Sequence, residues 1–249
     1  MPTAARYIDP NQHTYTPVPA AGPDVCAVCR SGPRPGHGVC GSCEEVMRQV
    51  SYPTTSVVPI SLYTLNGQLW HVLRYYKDAS GPGSELLALQ VAAIIARFTA
   101  RHLRCVAGLL GGEPDLVTGV PSTRVEGRPG RHPLQTAIRR AGALAPRYEP
   151  LLARGPGQVD HKLADDDAFT VPRRLTGERV LVVDDTLTSG ARLQSAVSAL
   201  RLNGASAVAA IVVGRVIDPD WNGSCRRIWD QARATPFTFD QCCLCRGLS

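Results

Sequence analysis

Apolar runs alternate with amphipathic segments along much of the chain, and their spacing predicts an α/β fold. Residues 116–120, 179–183 and 207–213 are short apolar runs, which is typical of buried parallel strands. Between them, residues 133–144 and 191–202 carry apolar side chains at helical spacing. This order of strands and helices is that of a parallel sheet whose crossover helices cover its faces.

Two further segments precede this alternation. Residues 85–106 have helical spacing over a long stretch, which predicts a long helix packed on the sheet. In residues 56–78, Asn66-Gly67 separates two apolar runs, and this dipeptide readily takes the positive φ values of a tight hairpin turn. The apolar residues of 69–76 fit a helix as well as a strand, and both interpretations stay open.

Length and charge narrow the class of protein. The chain has 249 residues, 44% of them apolar, which suffices for one sizeable domain and a small appendage. The formal net charge of +6 suits an anionic ligand such as phosphate better than a DNA groove. Residues 1–23 are rich in Pro, Thr and Ala, so we expect a flexible leader without a signal peptide. Arginines interrupt the apolar stretch of 85–106, so we expect no membrane span and a cytoplasmic location.

The cysteines fall into close groups, which indicates metal ligands rather than disulfides. Two Cys-x-x-Cys pairs, ten residues apart, comprise Cys26, Cys29, Cys40 and Cys43. Four thiolates at this spacing can meet at one tetrahedral ion. Residues 24–50 are therefore predicted to form a module around a structural zinc ion, with iron as the alternative.

A second group of cysteines lies in the C-terminal tail, residues 215–249. Its members are Cys225, Cys242, Cys243 and Cys245. Their spacing fits a second metal site, a partial site completed by the N-terminal module, free or redox-active thiols, or packing under tryptophans. The remaining cysteine, Cys105, ends an apolar helical pattern and is expected to be an inert core thiol.

The segment 180–190 carries the clearest chemistry of the chain. Its apolar strand ends in two carboxylates, Asp184 and Asp185, and a loop rich in hydroxyls then opens into a helix. A helix N-terminus favours an anion, and the hydroxyls of 186–189 add donors around it. The carboxylates can accept hydrogen bonds from sugar hydroxyls or hold Mg²⁺. These groups predict a site for a ribose 5-phosphate, and the alternative is a simple helix cap.

The stretch Val182-Val-Asp-Asp-Thr-Leu-Thr-Ser-Gly190 resembles the phosphoribosyl-pyrophosphate signature of the type I phosphoribosyltransferases. Residues 69–77, Leu-Trp-His-Val-Leu-Arg-Tyr-Tyr-Lys, and the four-cysteine module make residues 24–215 similar to the ComF-type branch of that family. The resemblance implies a type I phosphoribosyltransferase-like parallel sheet flanked by helices over 51–214, after the small N-terminal zinc module.

The resemblance also implies roles for individual residues. Asp184 and Asp185 are implied to act on the ribose hydroxyls and Mg²⁺. The 5-phosphate is implied to lie among the loop residues Thr186, Leu187, Thr188, Ser189 and Gly190. The pyrophosphate is implied to lie against an earlier loop, Pro121, Ser122, Thr123 and Arg124. A loop that closes over the site is implied near 154–168, where Gln158 and Lys162 lie.

The implied function is that of a Mg²⁺-dependent protein that binds phosphoribosyl pyrophosphate and transfers phosphoribose to a nucleophile, or releases it in reverse. The alternative is a non-catalytic sensor or adaptor of ComF type in DNA uptake or processing, with DNA-processing proteins as partners. His132 and the acids of 165–167 depart from the family pattern and favour the alternative. Direct nucleic-acid binding has weak support because few aromatics accompany the arginines of the zinc module. Related domains lead us to expect a homodimer.

Overall fold

The computed structural model describes residues 8–77, 83–121 and 132–245. Its main strands are β1 (Val57–Tyr63), β2 (Leu116–Gly119), β5 (Arg179–Leu187) and β6 (Ala207–Val216). They form one parallel sheet in the order β1-β6-β5-β2. Two short strands, β3 (Ala153–Arg154) and β4 (Phe169–Thr170), pair antiparallel apart from it. The predicted α/β fold with a parallel sheet is confirmed.

Helices cover both faces of this sheet. They are α1 (Gly41–Met47), α2 (Gln68–Tyr75), α3 (Ser84–Leu110), α4 (Pro133–Arg140), α5 (Ala191–Leu202) and α6 (Gly223–Arg233). One core lies between the sheet and α2, α3, α4 and α6, and the other lies between the sheet and α1 and α5. Side chains alternate along a strand, so Leu181 and Val183 enter the first core while Val180 and Val182 enter the second. This two-sided burial explains why residues 180–183 of β5 are all apolar.

Several element boundaries differ from the sequence prediction. The strand expected at 179–183 continues to Leu187, because its later residues still pair with β6. The helix expected at 133–144 ends at Arg140, where the next residue is extended with ψ of 102°. Beyond Asn66, whose φ is 66°, the chain forms α2 rather than a second hairpin strand. The sequence of residues 69–76 fits both a helix and a strand, and it is the packing of this segment on the sheet that makes it a helix.

The described part of the N-terminal segment packs on the domain, which differs from the flexible leader expected over 1–23. Ile8 is fully buried, and Tyr15 and Val18 are each 4% exposed. The Leu62 N–H donates to the Thr16 carbonyl at 2.9 Å, so the segment also bonds to the edge strand β1. Ile8 and Tyr15 flank a 3-10 helix of six residues, Asp9–Thr14, which is too short to leave a periodic apolar pattern in the sequence.

Within the described residues, α3 alone is long and apolar enough to cross a membrane by length and composition. Half of its apolar window is buried inside the protein, and the helix packs against α2, α4 and β6. Core helices often meet the same two criteria, and the packing of α3 is that of a core helix.

We expect Ile8→Ala to lower the free energy of unfolding by about 2–5 kcal/mol, because it empties a fully buried position. Leu65→Ala is the control, since that side chain is 65% exposed, and its effect should stay within about 0.5 kcal/mol. Urea unfolding followed by circular dichroism measures both variants. Two equally small effects would contradict the docking of the N-terminal segment.

Candidate functional site

Two buried acids end the apolar part of β5 at the carboxyl edge of the sheet. Asp184 is 3% exposed and Asp185 is 1% exposed. The end of α2 supplies the partners of Asp185: Tyr76 Oη donates to its Oδ2 at 2.7 Å, and Lys77 Nζ lies 2.5 Å from the same oxygen. Asp184 Oδ1 accepts the Asp185 N–H at 2.9 Å. This edge is where parallel sheets bind their ligands.

The surroundings of the two acids separate their pKa values. Burial raises the pKa of Asp184 to about 7, although Arg192 acts in the opposite direction. Burial also acts upward on Asp185, but Lys77, Tyr76 and Arg192 outweigh it and hold its pKa below the usual value. The site therefore contains one carboxylate neutralised by Lys77 and one whose ionisation is poised near neutral pH.

Residues 188–190, called the anion-binding turn below, join the end of β5 at Leu187 to the start of α5 at Ala191. Gly190, the N-cap residue of the helix that follows, has φ of 89°, a value that favours glycine, and it has no side chain with which to cap that helix. Ser189 Oγ accepts the Ala191 N–H at 3.4 Å, and the next N–H groups of the first turn of α5 have no side-chain partner among the described residues. Ser189 Oγ accepts the Lys162 N–H at 3.1 Å, and its own hydroxyl proton is left to donate. Thr188 is exposed at the same turn, so hydroxyl and N–H donors surround one place that suits an anion.

Arg215 on β6 supports this turn from behind. The residue is 7% exposed, and its Nη1 donates to the carbonyls of Leu187 at 3.1 Å and Thr188 at 2.8 Å. Its Nη2 lies 3.4 Å from Cys29 Sγ. Arg215 thus connects the four-cysteine module to the anion-binding turn. Arg215 was not predicted as a functional residue, because it follows the predicted end of the domain and belongs to no motif.

The four cysteines of the N-terminal module meet in one cluster, as their spacing predicts. The sulfurs of Cys26, Cys29, Cys40 and Cys43 lie within 4.8 Å of one another, and all four residues are buried. The sulfurs of Cys29 and Cys40 are 3.6 Å apart, and the Cys40 N–H donates to Cys26 Sγ at 3.3 Å. A tetrahedral zinc ion with Zn–S bonds of about 2.3 Å requires such spacing, so the cluster could bind zinc.

The four tail cysteines do not meet in one cluster. Cys225 lies beside Ser31, with 3.5 Å between Sγ and Oγ, and Cys243 is buried beside Arg30. Both are therefore removed from the predicted second ligand set, because α6 and the tail turn carry them toward the N-terminal module.

Cys242 and Cys245 instead meet His102 and Cys105 of α3 in a second cluster that could bind a metal. Cys105 is thus not the isolated core thiol that we expected. The sequence signal was available, since His102 and Cys105 stand one helical turn apart on the predicted long helix. It was missed because the two halves of the cluster are far apart in the sequence.

The first loop implied for pyrophosphate lies mostly beyond the described residues. Pro121 follows β2, and its carbonyl accepts a hydrogen bond from Arg192 Nη2 at 2.9 Å. Ser122, Thr123 and Arg124 lie outside the described part of the chain. Arg192 in the first turn of α5 therefore joins the anion-binding turn to the end of β2.

The loop expected to close over the site is bonded to its neighbours. The Lys162 N–H reaches Ser189, and the Lys162 carbonyl accepts Gln49 Nε2 at 3.0 Å. The Lys162 ammonium lies 3.6 Å from Glu45 of α1. Gln158 is exposed, and its N–H donates to Asp165 at 3.0 Å. Lys162 thus contacts Ser189 of the anion-binding turn through its backbone N–H, while its ammonium group pairs with Glu45.

The acids of this loop serve as hydrogen-bond acceptors. Asp165 accepts the Asp167 N–H at 2.8 Å, and Asp166 accepts the hydroxyls of Ser51 and Ser198 at 2.5 Å each. Burial acts to raise the pKa of Asp166, but these hydrogen bonds outweigh it and lower the pKa. The carboxylates of Asp165 and Asp166 therefore take part in folding the loop.

His132 begins α4 and lies within electrostatic reach of Lys77 and Asp185. Its Nδ1 accepts the Leu134 N–H at 3.3 Å, so it caps the helix. Burial, and then the charge of Lys77, lowers its pKa to about 4, which keeps the ring neutral at pH 7. Its buried Nε2 has no hydrogen-bond partner among the described residues.

Comparisons with known proteins yield distant likenesses only. No protein-family model matches the sequence, and no curated protein matches it. Among solved structures, the chain is similar to the allosteric regulatory enzyme of purine biosynthesis, with 22% identity, a TM-score of 0.29, and coverage of 48% of this chain and 26% of that chain. It is also similar to adenine phosphoribosyltransferase from Leishmania tarentolae, with 14% identity and a TM-score of 0.35. This match covers 71% of this chain and 98% of the Leishmania chain. The chain spans about a quarter of the length of the first of these.

Asp184→Asn should stabilise the folded chain at alkaline pH. The pKa of Asp184 rises from 3.8 to about 7 on folding, so the folded state holds a proton that the unfolded state has lost, and stability falls as pH rises through this window. At about pH 8 we expect a gain of at least about 1 kcal/mol, which shrinks toward pH 4. Asp24→Asn, at an exposed carboxyl, is the control in urea unfolding. If the difference in unfolding free energy between Asp184→Asn and the wild type did not change with pH, the raised pKa of Asp184 would be contradicted.

Arg215→Met should loosen the anion-binding turn. The substitution removes the donors to Leu187 and Thr188, so the amides of 187–190 should exchange hydrogen at least about tenfold faster. Arg226→Met removes only an exposed ion pair with Asp220 and serves as the control. Hydrogen exchange measured by mass spectrometry, with peptides from β2 as an internal reference, decides the matter. If the amides of 187–190 exchanged hydrogen at the wild-type rate in Arg215→Met, Arg215 would not be needed to hold the anion-binding turn in place.

Proposed function

We propose that this chain binds phosphoribosyl pyrophosphate at the carboxyl edge of β5 and transfers its phosphoribosyl group to a nucleophile. One observation carries the proposal: two buried carboxylates at the end of β5 are followed, after five intervening residues, by the N-terminus of α5, and the hydroxyls of Thr188 and Ser189 lie in the turn between them. Acceptors for sugar hydroxyls at the end of β5 and donors for a phosphate in the turn that follows thus lie close together along the chain. The resemblance of 182–190 to the signature of type I phosphoribosyltransferases, and of 24–215 to the ComF-type branch, supports the same ligand.

Each part of the ligand has a counterpart at this edge. The ribose hydroxyls donate to Asp184 and Asp185, which offer only acceptors when ionised. The 5-phosphate accepts from the N–H groups at the start of α5 and from the hydroxyls of Thr188 and Ser189. Arg192, in the same first turn, adds positive charge toward the end of β2. The pyrophosphate lies toward the loop that begins at Pro121.

The acid pair also fits Mg²⁺ by its chemistry. Carboxylate oxygens are the ligands that this ion prefers, and the Asp184 carboxyl, with its pKa raised to about 7 by burial, is ionised more readily beside a cation. Asp184 and Asp185 are the residues that hold Mg²⁺ in this proposal, together with oxygens of the ligand. When bound, the ion supplies positive charge that stabilises the departing pyrophosphate.

The proposed reaction exchanges one bond at the sugar C1. The bond between C1 and the pyrophosphate oxygen breaks, the pyrophosphate leaves with the electron pair, and the nucleophile forms the new bond to C1 and releases its proton to solvent. The sugar passes through a cationic, oxocarbenium-like transition state, which the nearby carboxylates stabilise. The chain contributes mainly by positioning the ligand and by burying the acid pair.

A non-catalytic sensor or adaptor of ComF type is the second candidate, and one contact favours it. Asp185 Oδ2 already binds both Tyr76 and Lys77. Such a carboxylate can hold a ligand without contributing negative charge to a cationic transition state. DNA-processing partners, a homodimer and a cytoplasmic location belong to this proposal as predictions.

Calorimetric titration of the full chain with phosphoribosyl pyrophosphate and MgCl₂ tests the proposed ligand. We expect micromolar binding that is lost in the Asp184→Asn/Asp185→Asn double variant. Thr188→Val should weaken binding by about tenfold or more, because an exposed donor to a charged phosphate is removed without disturbing the fold. Asp24→Asn should bind as the wild type does.

Release of pyrophosphate in the presence of a panel of nucleobases separates the two candidates. Turnover by the wild type but not by the double variant supports the transferase, and binding without turnover supports the sensor. The absence of binding by the wild type would overturn both, because both place the same ligand at β5.

A further inference from the structure

We propose that His102, Cys105, Cys242 and Cys245 bind a second structural zinc ion, which fastens the C-terminal tail to α3. The four donor atoms lie within 4.8 Å of one another. Two of them come from one turn of α3, and two come from a Cys-x-x-Cys turn near the end of the chain. This ligand set lies outside the site at β5, so the inference does not depend on the proposed function.

The distances in this cluster match a tetrahedral ion. The sulfurs of Cys242 and Cys245 are 3.4 Å apart, while His102 Nδ1 lies 3.8 Å from Cys105 Sγ and 3.9 Å from Cys245 Sγ. Zinc bonds of about 2.3 Å to sulfur and about 2.0 Å to nitrogen give tetrahedral edges of roughly 3.5–3.8 Å. The Cys242–Cys245 separation also exceeds the disulfide bond length of about 2.05 Å, so these thiols are free.

The hydrogen bond of His102 leaves the correct nitrogen for a metal. Its Nε2 lies 2.8 Å from the Phe239 carbonyl, and a carbonyl can only accept, so Nε2 carries the proton. In a neutral imidazole, Nδ1 then presents its lone pair, and Nδ1 is the atom that faces the sulfurs. Bonding of the outer nitrogen to a carbonyl is how metal-bound histidines are commonly oriented.

The composition and burial of the cluster favour zinc in a structural role. Imidazole and thiolates together suit zinc, whereas iron–sulfur clusters are usually held by thiolates alone. His102 and Cys242 are 3% and 4% exposed. Four protein ligands complete a tetrahedron and leave no open position for a substrate.

The contacts around the cluster show what the ion would hold in place. Phe237 and Phe239, just before the Cys-x-x-Cys turn, pack edge to face on Tyr15, with ring centroids 5.4 Å and 6.2 Å away. Arg101 Nε lies 2.7 Å from Asp240. An ion bound between α3 and the tail would therefore fix both the tail and the N-terminal segment that packs on it. A short tail with little regular structure gains most from such a cross-link.

The zinc content of the full chain, expressed with zinc and measured by mass spectrometry under native conditions, tests this inference. We expect about two ions per wild-type chain and about one in Cys245→Ser, with the N-terminal cluster still filled. Cys225→Ser and Cys243→Ser are matched controls, since both remove buried tail cysteines that lie outside the cluster, and both should keep about two ions.

A conversion of the ligand set keeps the inference testable if Cys245→Ser fails to fold. His102→Cys preserves four ligands, so it should still bind about two ions, and Co²⁺ in place of zinc should show stronger sulfur-to-cobalt absorption than in the wild type. Wild-type protein with about one ion per chain, or equal loss of zinc in Cys245→Ser and Cys225→Ser, would overturn the second site. An unchanged cobalt spectrum in His102→Cys would exclude His102 as a ligand.

Discussion

Burial of two adjacent acids at the end of a strand is the constraint on which the rest of the structure depends. β5 lies between two neighbours and under helices on both faces, so Asp184 and Asp185 enter an environment that opposes their charge. A buried ion pair is seldom the most stable choice for a protein core. The chain nevertheless places Lys77 against Asp185 and leaves Asp184 poised near neutral pH. Such an arrangement is common where a ligand is to be bound.

Two clusters that could bind metal ions lie at the periphery of this centre. The four-cysteine module packs into the core beneath α5, and Arg215 joins one of its sulfurs to the carbonyls of the anion-binding turn. The tail turn brings Cys243 beside Arg30 of the same module. The N-terminal segment, the module, the tail and the turn are therefore one packed unit rather than separate appendages. Arg215 links the four-cysteine cluster to the anion-binding turn, and Cys243, in the Cys-x-x-Cys turn of the second cluster, contacts Arg30 of the same module.

The local sequence predicted the elements that carry their own pattern. The strand before Asp184, the helix after Gly190 and the four-cysteine cluster were all recognisable, because strand burial, helix starts and metal-ligand spacing are local properties. The N-terminal segment was not, since Ile8 and Tyr15 are buried by distant residues. The acids of 165–167 were recognised only as a departure from the family pattern, because the contacts that make Asp166 a structural hydrogen-bond acceptor come from Ser51 and Ser198, which are remote in the sequence.

The sequence by itself determined the class of fold, the identity of the acid pair and the ligands of the first cluster, because each depends on neighbours within a short stretch of chain. Tertiary structure alone decided which residues that are distant in the sequence come into contact. Lys77 reaches Asp185, Arg215 reaches the turn after Leu187, and Cys245 reaches His102. Side-chain chemistry acts over a few ångströms in space, and only the packing of helices on the sheet brings such distant positions within that range.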